Sequence, residues 1–295
     1  MKQCFSPYAI IALAALVLGC DGKGAEEDVD CGALEPGPLA ATLVEGSIAG
    51  EDFAFDPEGN LVGIGDYAIF KTPYRGEPEL FVSGIYYDSG MTWSSDGRLL
   101  VADNSLNALV AIDSEGVSHV IASNLSWPNG IAAHPSGWVL VTEFAADRIS
   151  RVDLATGETT VAAVGIPGAN GIAFGPDRER LYVGSFWDGE IRSFDVDGQG
   201  TLENEEILVE GVGAQLDGIG VDECGNVYAC GHDNGAVYRI SAEGAVEVIV
   251  EAGTLGHAAS IRWGRGIGGW RDDAAYVSDY SSVWEIDLGV GPAVP

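Results

Sequence analysis

One pattern occurs six times along this chain at a nearly constant interval. In each copy a short apolar strand leads into a tight turn, such as "DPEGN", "HPSGW" or "DECGN", and in most copies a second apolar strand follows. Aligned on these turns, the residues that begin the first strands form a column whose members are 38, 40, 41, 47 and 42 residues apart. The column residues are Glu51, Ser89, Asn129, Asn170, Asp217 and Ala259. Strand-rich repeats of this length are typical of propeller blades.

The repeats predict an all-β domain, a six-bladed β-propeller, over residues 38–295. The 42 glycines lie between short β-branched and aromatic runs, as expected of many short strands. The sixth repeat ends before a fourth strand, so we expect the N-terminal stretch "AATLVEGS" to supply its outer strand. That closure by an N-terminal strand would protect the last open sheet edge.

The column itself predicts a metal site. The innermost strand of each blade lies along the central channel, so its first residues converge on the axis. Four of them offer only oxygen donors, two carboxylates and two carboxamides, a set that suits one divalent cation, Ca²⁺ above all. These predicted ligands are Glu51, Asn129, Asn170 and Asp217. The alternative is a water-filled channel whose polar residues hydrogen-bond one another.

Asn-Gly on its own usually marks a tight turn. Within the column a different interpretation applies to "ANGI" and "PNGI". The asparagine is present for its side-chain oxygen, and glycine follows so that the chain can pass close to the axis.

The loops between second and third strands return to the column's face and are expected to form a substrate pocket above it. Their aromatic residues, together with Trp127, predict an apolar pocket floor, although packing at the blade tops is the commoner role of such residues. The predicted pocket residues are Ser89, Trp127, Phe144, Phe186, Trp187, His232 and Tyr280, with Tyr67 as a further aromatic. Of the other histidines, His257 could approach the pocket, whereas His134 is expected at the surface at the far end of its strand.

The N-terminal residues predict export. Residues 1–19 carry Lys2 and an apolar stretch too short to span a bilayer, which is typical of a signal peptide. The following Cys20 resembles the lipidated cysteine of a bacterial lipoprotein, although an ordinary secretory cleavage remains an alternative. Residues 20–37 are acidic and rich in glycine and proline, which predicts a flexible tether. The protein is therefore expected in the cell envelope, attached to a membrane through Cys20.

The remaining cysteines and the net charge limit the partners further. Cys31, Cys224 and Cys230 allow at most one disulfide among them, and the sequence does not choose the pair. The chain has 45 acidic against 14 basic residues and a formal charge of -31. Such a balance repels phosphate backbones and excludes nucleic acid as an expected partner.

From about residue 45 to 290 the chain resembles the gluconolactonase and paraoxonase group of six-bladed propellers, which includes senescence marker protein and luciferin-regenerating enzyme. The most specific stretches are "ANGIAFGPDRERLYVGSF", "LDGIGVDECGNVYA" and the closing "ASIRWGRGIGGW". The resemblance implies one catalytic divalent ion at the channel mouth and hydrolysis of lactones or esters. By position, Glu51, Asn170 and Asp217 match the ligands common to the group, and Asn129 matches the third-blade asparagine.

Several positions depart from that pattern. Gluconolactonases place an arginine and an aspartate where this chain has Trp127 and Gly130, so a sugar lactone is disfavoured. Paraoxonases place a histidine where this chain has Ser89. Asp52 could match one ligand of their second, buried calcium, but Gly130 replaces another, so a single metal is expected.

The sequence therefore predicts a calcium-dependent hydrolase of a small ester or lactone. Asp217, or Glu51 in its place, is the predicted general base acting on a water molecule, because no Ser-His-Asp or Cys-His arrangement is visible. The alternative is a non-catalytic propeller whose metal is structural and whose top face binds a protein or glycan. A strictosidine-synthase-like condensing enzyme is disfavoured, because the sixth column position offers Ala259 and Ser260 instead of a carboxylate.

Overall fold

The computed structural model describes residues 29–85 and 89–294. The predicted signal peptide, Cys20 and the first part of the predicted tether lie outside the described residues. Within the described residues, no helix is long and apolar enough to cross a membrane.

The described chain forms six antiparallel sheets of four strands each, and its first strand is β1 (Ala41–Val44). Blade 1 contains β2 (Phe53–Phe55), β3 (Leu61–Gly65), β4 (Ala68–Thr72) and β5 (Glu79–Ser83). Blade 2 contains β6 (Met91–Trp93), β7 (Leu99–Asp103), β8 (Ala108–Ile112) and β9 (Ser118–Ser123). Blade 3 contains β10 (Pro128–His134), β11 (Trp138–Glu143), β12 (Arg148–Asp153) and β13 (Thr159–Val164), with a short 3₁₀ turn at Phe144–Ala146.

The remaining three blades follow the same order. Blade 4 contains β14 (Ala169–Phe174), β15 (Arg180–Ser185), β16 (Ile191–Val196) and β17 (Leu202–Val209). Blade 5 contains β18 (Leu216–Val221), β19 (Val227–Gly231), β20 (Val237–Ile240) and β21 (Val246–Val250). Blade 6 contains β22 (Ser260–Trp263), β23 (Ala274–Ser278) and β24 (Val283–Asp287).

The ring is closed by the N-terminal strand. Strand β1 pairs antiparallel with β24, from Ala41 opposite Ile286 to Val44 opposite Val283, and so becomes the fourth strand of blade 6. The predicted six-bladed propeller is confirmed. Because the first and last parts of the chain form one sheet, opening the ring requires breaking that ladder.

The hydrophobic core lies between neighbouring blades. Alternating side chains of each strand point to opposite faces of its sheet, so every blade contributes residues to two of these layers. Between blades 6 and 1 the layer is aromatic, with the ring centroids of Phe55 and Trp270 5.0 Å apart and those of Phe55 and Tyr276 5.5 Å apart. These packed layers hold the inner strands in place around the channel.

Both ends of the described chain are attached to blade 5. Cys31 forms a disulfide with Cys224, in the turn after β18, and the backbone N–H of Leu39 donates to the carbonyl of Ile249 at 2.7 Å. At the other end Ala293 donates to the carbonyl of Val221 at 2.8 Å. The compact unit begins at Cys31, earlier than the boundary at residue 38 expected from composition, because the disulfide and these hydrogen bonds hold residues 31–39 against blade 5.

Candidate metal centre at the channel mouth

Three of the innermost strands contain a bulge at the column residue. The register of β10 against β11 shifts between Pro128 and Ile131, and equivalent shifts occur at Ala169–Ile172 in β14 and Leu216–Ile219 in β18. A bulge inserts an extra residue into one strand of a pair and so changes the direction in which the side chain points. The bulged dipeptides are Asn129-Gly130, Asn170-Gly171 and Asp217-Gly218, so the bulge gives each column residue its own orientation.

The glycine after each column residue allows the inner strands to come close together. A Cβ atom on Gly130 would lie 2.6 Å from the carbonyl oxygen of Asn170, one on Gly171 would lie 2.5 Å from that of Asp217, and one on Gly218 would lie 2.6 Å from that of Ala259. Real Cβ atoms do not come this close to backbone. Asn-Gly and Asp-Gly here are therefore bulged strand starts and not hairpin turns.

The column residues meet around one small cavity. Asn129, Asn170 and Asp217 are almost fully buried, as is Ser89, and Glu51 is partly buried. The amide nitrogen of Asn129 lies 3.4 Å from Oε1 of Glu51 and donates to it. The structure thus brings together the four predicted ligands and Ser89 at one point on the axis.

Burial and mutual repulsion disfavour the ionised forms of the two column carboxyls, Glu51 and Asp217. Burial raises the pKa of Glu51 to about 7, helped by the negative charge of Asp52, against hydrogen bonds from Asn129 and Ser89. Burial also raises the pKa of Asp217 well above its usual value, and the charge of Glu51 is the next largest cause. A cation between these carboxyls would replace the lost solvation and remove the repulsion.

The neutral donors fit a cation as well. Oδ1 of Asn170 is buried and accepts no hydrogen bond, which is rare for an amide oxygen and leaves it available as a ligand. The amide nitrogen of Asn129 faces Glu51, and rotation about the last side-chain bond would bring its oxygen to that place. The described residues contain no metal-binding cluster of three or more histidine, cysteine, aspartate or glutamate side chains, so a site here depends on the two carboxamides.

A second charged group lies beside the column. The guanidinium of Arg262 forms a 2.6 Å ion pair with Asp52 and lines the same cavity. Asp52 also accepts from the backbone N–H of Phe53 at 2.8 Å and of Met91 at 2.9 Å, and from the hydroxyl of Ser260. The negative charge of Asp52 is therefore neutralised by Arg262.

Sequence reasoning missed Arg262 and Ser260 as site residues. Ser260 was considered only for its lack of a carboxylate. A signal was present, because the two residues are separated by one position in the strand-like stretch "SIRW" and therefore point to the same side of β22.

The predicted pocket aromatics surround the mouth, but they do not form its floor. The floor consists of column residues, glycines, two isoleucines, Ser260 and the ion pair of Asp52 with Arg262, whereas Trp127 and Trp187 are 51% and 58% exposed. Trp127 lies outside the floor because its φ of 52° places it at a left-handed turn before β10 begins. Tyr280 reaches the column, since its hydroxyl donates to Oδ2 of Asp217 at 3.3 Å. The expectation of an apolar floor was wrong, and the aromatic residues form a raised wall.

The histidines lie where the sequence indicated. His232 and His257 are adjacent at the mouth, with ring centroids 4.9 Å apart and Nδ1 of His257 2.7 Å from the carbonyl oxygen of His232. That contact makes Nδ1 the protonated nitrogen of a neutral His257. Burial, followed by the neighbouring His257, lowers the pKa of His232. His134 lies at the far end of β10, stacked on Trp138 at 4.3 Å.

Comparison with known proteins assigns a family to this chain. Residues 88–268, more than half of the chain, match the family described as "SMP-30/Gluconolactonase/LRE-like region". That range contains Asn129, Asn170 and Asp217, but not Glu51. No curated protein sequence matches the chain significantly.

Solved structures share the fold at low sequence identity. A gluconolactonase from Xanthomonas campestris superposes with a TM-score of 0.70 at 16% identity, covering 87% of this chain and 100% of its own. Regucalcin from Agrobacterium tumefaciens, described as a calcium-binding protein, gives 0.70 at 20% identity, covering 88% and 96%. A luciferin-regenerating enzyme gives 0.71 at 16%, covering 86% and 97%. At these identities the likeness to the solved structures shows the fold alone.

Proposed function

Because the chain belongs to the SMP-30/gluconolactonase/LRE-like family, we propose that it is a metal-dependent hydrolase of a lactone or ester. Glu51, Asn129, Asn170 and Asp217 would hold the ion, and Ca²⁺ is the ion that suits an all-oxygen set with two carboxylates. Relatives in the comparisons include a gluconolactonase and a calcium-binding regucalcin, which supports both parts of the proposal.

The observation that carries this proposal is the pair of carboxyls from blades 1 and 5 that meet at the channel mouth. Glu51 and Asp217 repel each other in a cavity that also contains the unpaired amide oxygen of Asn170. A channel filled only with water would leave two adjacent carboxylates without a neutralising partner. When bound, a divalent cation would polarise the substrate carbonyl and stabilise the negative charge that develops on its oxygen.

The chain's own groups account for the proton transfer. Asp217 is the proposed general base, since its carboxylate faces the cavity where a water molecule and the substrate carbonyl would meet. The hydroxyl of Tyr280 donates to Oδ2 of Asp217 and so fixes the orientation of the carboxylate.

Two variants separate the roles of base and ligand. Asp217→Asn keeps an oxygen donor but cannot accept a proton, whereas Asn129→Asp restores the lost charge on another blade. We expect Asp217→Asn to remain nearly inactive at saturating calcium, with metal occupancy verified by calorimetry, whether or not Asn129→Asp is added. Recovery of turnover by raising calcium, or by the second substitution, would assign Asp217 a ligand role alone.

A second candidate is a non-catalytic propeller with a structural metal and a protein or glycan bound at the mouth. It is favoured by the exposure of Trp127 and Trp187, because large exposed aromatics are typical of binding surfaces. This candidate predicts full metal occupancy without hydrolysis of any ester or lactone.

The proposed location is the cell envelope, with a lipid anchor on Cys20. The disulfide between Cys31 and Cys224 supports export, because such bonds persist in oxidising compartments. We expect Cys20→Ser to release the protein from the membrane fraction or to leave its precursor uncut. A correctly cut Cys20→Ser chain that stays on the membrane would contradict the anchor.

A further inference from the structure

Aromatic rings form a continuous arc along the channel mouth from blade 3 to blade 6. The centroids of Trp127 and Phe144 are 5.7 Å apart, those of Phe144 and Phe186 5.4 Å, those of Phe186 and Trp187 4.9 Å, and those of Phe186 and His232 5.4 Å. His232 in turn lies 5.9 Å from Tyr280. We call this arc the aromatic crescent; its members are Trp127, Phe144, Phe186, Trp187, His232 and Tyr280.

The crescent is continuous with the candidate metal centre. Its last member, Tyr280, donates a hydrogen bond to Asp217, and its other members follow in the loops of blades 5, 4 and 3. A molecule whose carbonyl lies at the column therefore has its remaining atoms beside these rings if it extends toward blades 3 and 4.

Two members of the crescent are held in an unfavourable backbone conformation. Trp127 has a φ of 52° and Tyr280 a φ of 69°, both in the left-handed region that large side chains avoid. Trp127 is fixed there because its N–H donates to Oδ1 of Asn107 at 3.2 Å and its carbonyl accepts from Phe144 at 3.0 Å. Backbone strain at a binding surface points to a function for the side chain that it places.

The exposed indoles are also rigid. Trp187 contacts Phe186 edge to face, at 85°, and lies so close to Gly168 that a Cβ there would be 2.7 Å from Cδ1 of the indole. Trp127 is tilted against Phe144. The two largest rings of the crescent are thus pre-positioned by packing, while more than half of each surface faces solvent. Rings fixed in this way lose little conformational entropy when a ligand binds.

We propose that the aromatic crescent binds the non-reacting part of the substrate and that this part is a flat apolar ring. The inference rests on the proposed hydrolysis and deepens it: the substrate class becomes aryl esters and ring-fused lactones in preference to sugar lactones. The indoles of Trp127 and Trp187 present π-faces and one N–H each, which suits stacking. Sugar hydroxyls would instead require several paired donors and acceptors, or they would be buried without partners.

The test uses a ligand that cannot be hydrolysed, so that it does not depend on catalysis. The probe is 2-tetralone, the ketone in which a methylene replaces the ring oxygen of the lactone dihydrocoumarin; cyclohexanone lacks the fused ring. Binding is measured by calorimetry on the calcium-loaded mature protein for the wild type and for Trp127→Ala, Trp187→Ala and Leu106→Ala. Leu106 is the matched control, because it is 59% exposed in the loop after β7 on the same face.

We expect 2-tetralone to bind more tightly than cyclohexanone, and each tryptophan variant to weaken its binding about fivefold or more. Leu106→Ala should not change it. Unchanged melting temperature and calcium affinity in the variants would show that their folds are intact. Wild-type affinity for 2-tetralone in the tryptophan variants, or equal binding of the two ketones, would overturn the inference.

Kinetics then distinguish failure of the inference from failure of the proposed function. With dihydrocoumarin as substrate, the tryptophan variants should raise KM and leave kcat nearly unchanged, because uniform binding is lost. Tryptophan-dependent binding of 2-tetralone without hydrolysis of any lactone would retain the ligand class and reject the hydrolase. Hydrolysis of gluconolactone in preference to dihydrocoumarin would retain the hydrolase and reject the crescent's role.

Discussion

Glu51 and Asp217 are the residues whose chemistry requires a partner beyond the described chain. Their side chains belong to opposite parts of the sequence, and the propeller brings them together in a cavity whose charged neighbours are Asp52 and Arg262 and whose other polar neighbours are amides and hydroxyls. Arg262 is already paired with Asp52. The column carboxyls therefore have no counter-charge of their own among the described residues.

This arrangement makes the free energy of unfolding of the metal-free protein depend on pH. Glu51 has a folded-state pKa of about 7 against 4.5 as the ordinary value, so the metal-free folded protein binds more protons than the unfolded chain between these values. Its contribution to the free energy of unfolding should therefore fall as pH rises from 4.5 to 7. Calcium should reverse that loss, because it neutralises the ionised carboxyls.

We expect the rise in melting temperature caused by calcium to be larger at pH 8 than at pH 5, as measured by scanning calorimetry. Glu51→Gln is the control, because it lacks the titrating group and should show a smaller calcium shift with a flatter pH dependence. An equal calcium shift at both pH values in the wild type would show that these carboxyls do not hold the ion.

At the scale of strands, much of the site could be predicted from the sequence. The repeat located the start of each inner strand to within two residues, and close packing at the axis explains why glycine follows at Gly130, Gly171 and Gly218. The position of the aromatic residues could not be predicted, because the left-handed turn at Trp127 is held by Asn107 of another blade and the hydroxyl of Tyr280 bonds to Asp217, 63 residues away. The pairing of Asp52 with Arg262 could not be predicted either, because 210 residues separate the two partners in the sequence.

The pair between Asp52 and Arg262 joins blades 1, 2 and 6. Asp52 is almost completely buried and is bonded to Met91 of blade 2 and to Ser260 and Arg262 of blade 6. Removing the arginine would leave a buried carboxylate without its counter-charge. We expect Arg262→Met to lower the free energy of unfolding by roughly 3 kcal/mol in denaturant titrations.

The matched control is Arg98→Met. Arg98 forms a 2.7 Å ion pair with Asp96, close to the 2.6 Å of the Arg262 pair, but the Asp96 side chain is 55% exposed. Its loss should cost about 0.5 kcal/mol. Adding Asp52→Asn to Arg262→Met should recover part of the stability, and an equal cost for the two arginine variants would contradict a structural role for the buried pair.

At the scale of the whole molecule, the repeat and its incomplete last copy predicted both the number of blades and the closing strand. The disulfide could not be chosen, because Cys31 and Cys224 are 193 residues apart and lie outside the repeated strands. The compact unit starts at the first cysteine of that bond. A segment with the composition of a tether therefore packs against blade 5 where the disulfide holds it.

The disulfide should stabilise the closed ring, because it restricts the unfolded chain and anchors the segment that leads into β1. We expect Cys31→Ser to lower the free energy of unfolding by about 2–4 kcal/mol, measured by denaturant titration under oxidising conditions. Cys224→Ser and the double variant should show the same loss, as should the wild type under reducing conditions. Additive losses in the double variant would mean that the two cysteines act independently.

The central claim is that the ion held by the column is catalytic. Its most direct test is a calcium titration of chelator-treated mature protein, with bound calcium and turnover of dihydrocoumarin or an aryl ester measured on the same samples. We expect one calcium per chain and turnover that rises in proportion to occupancy. At a calcium concentration that saturates the wild type, Glu51→Gln should lose both calcium and turnover, whereas Leu106→Ala should keep both. Full occupancy without turnover of any ester or lactone, or undiminished turnover in chelator, would contradict the account.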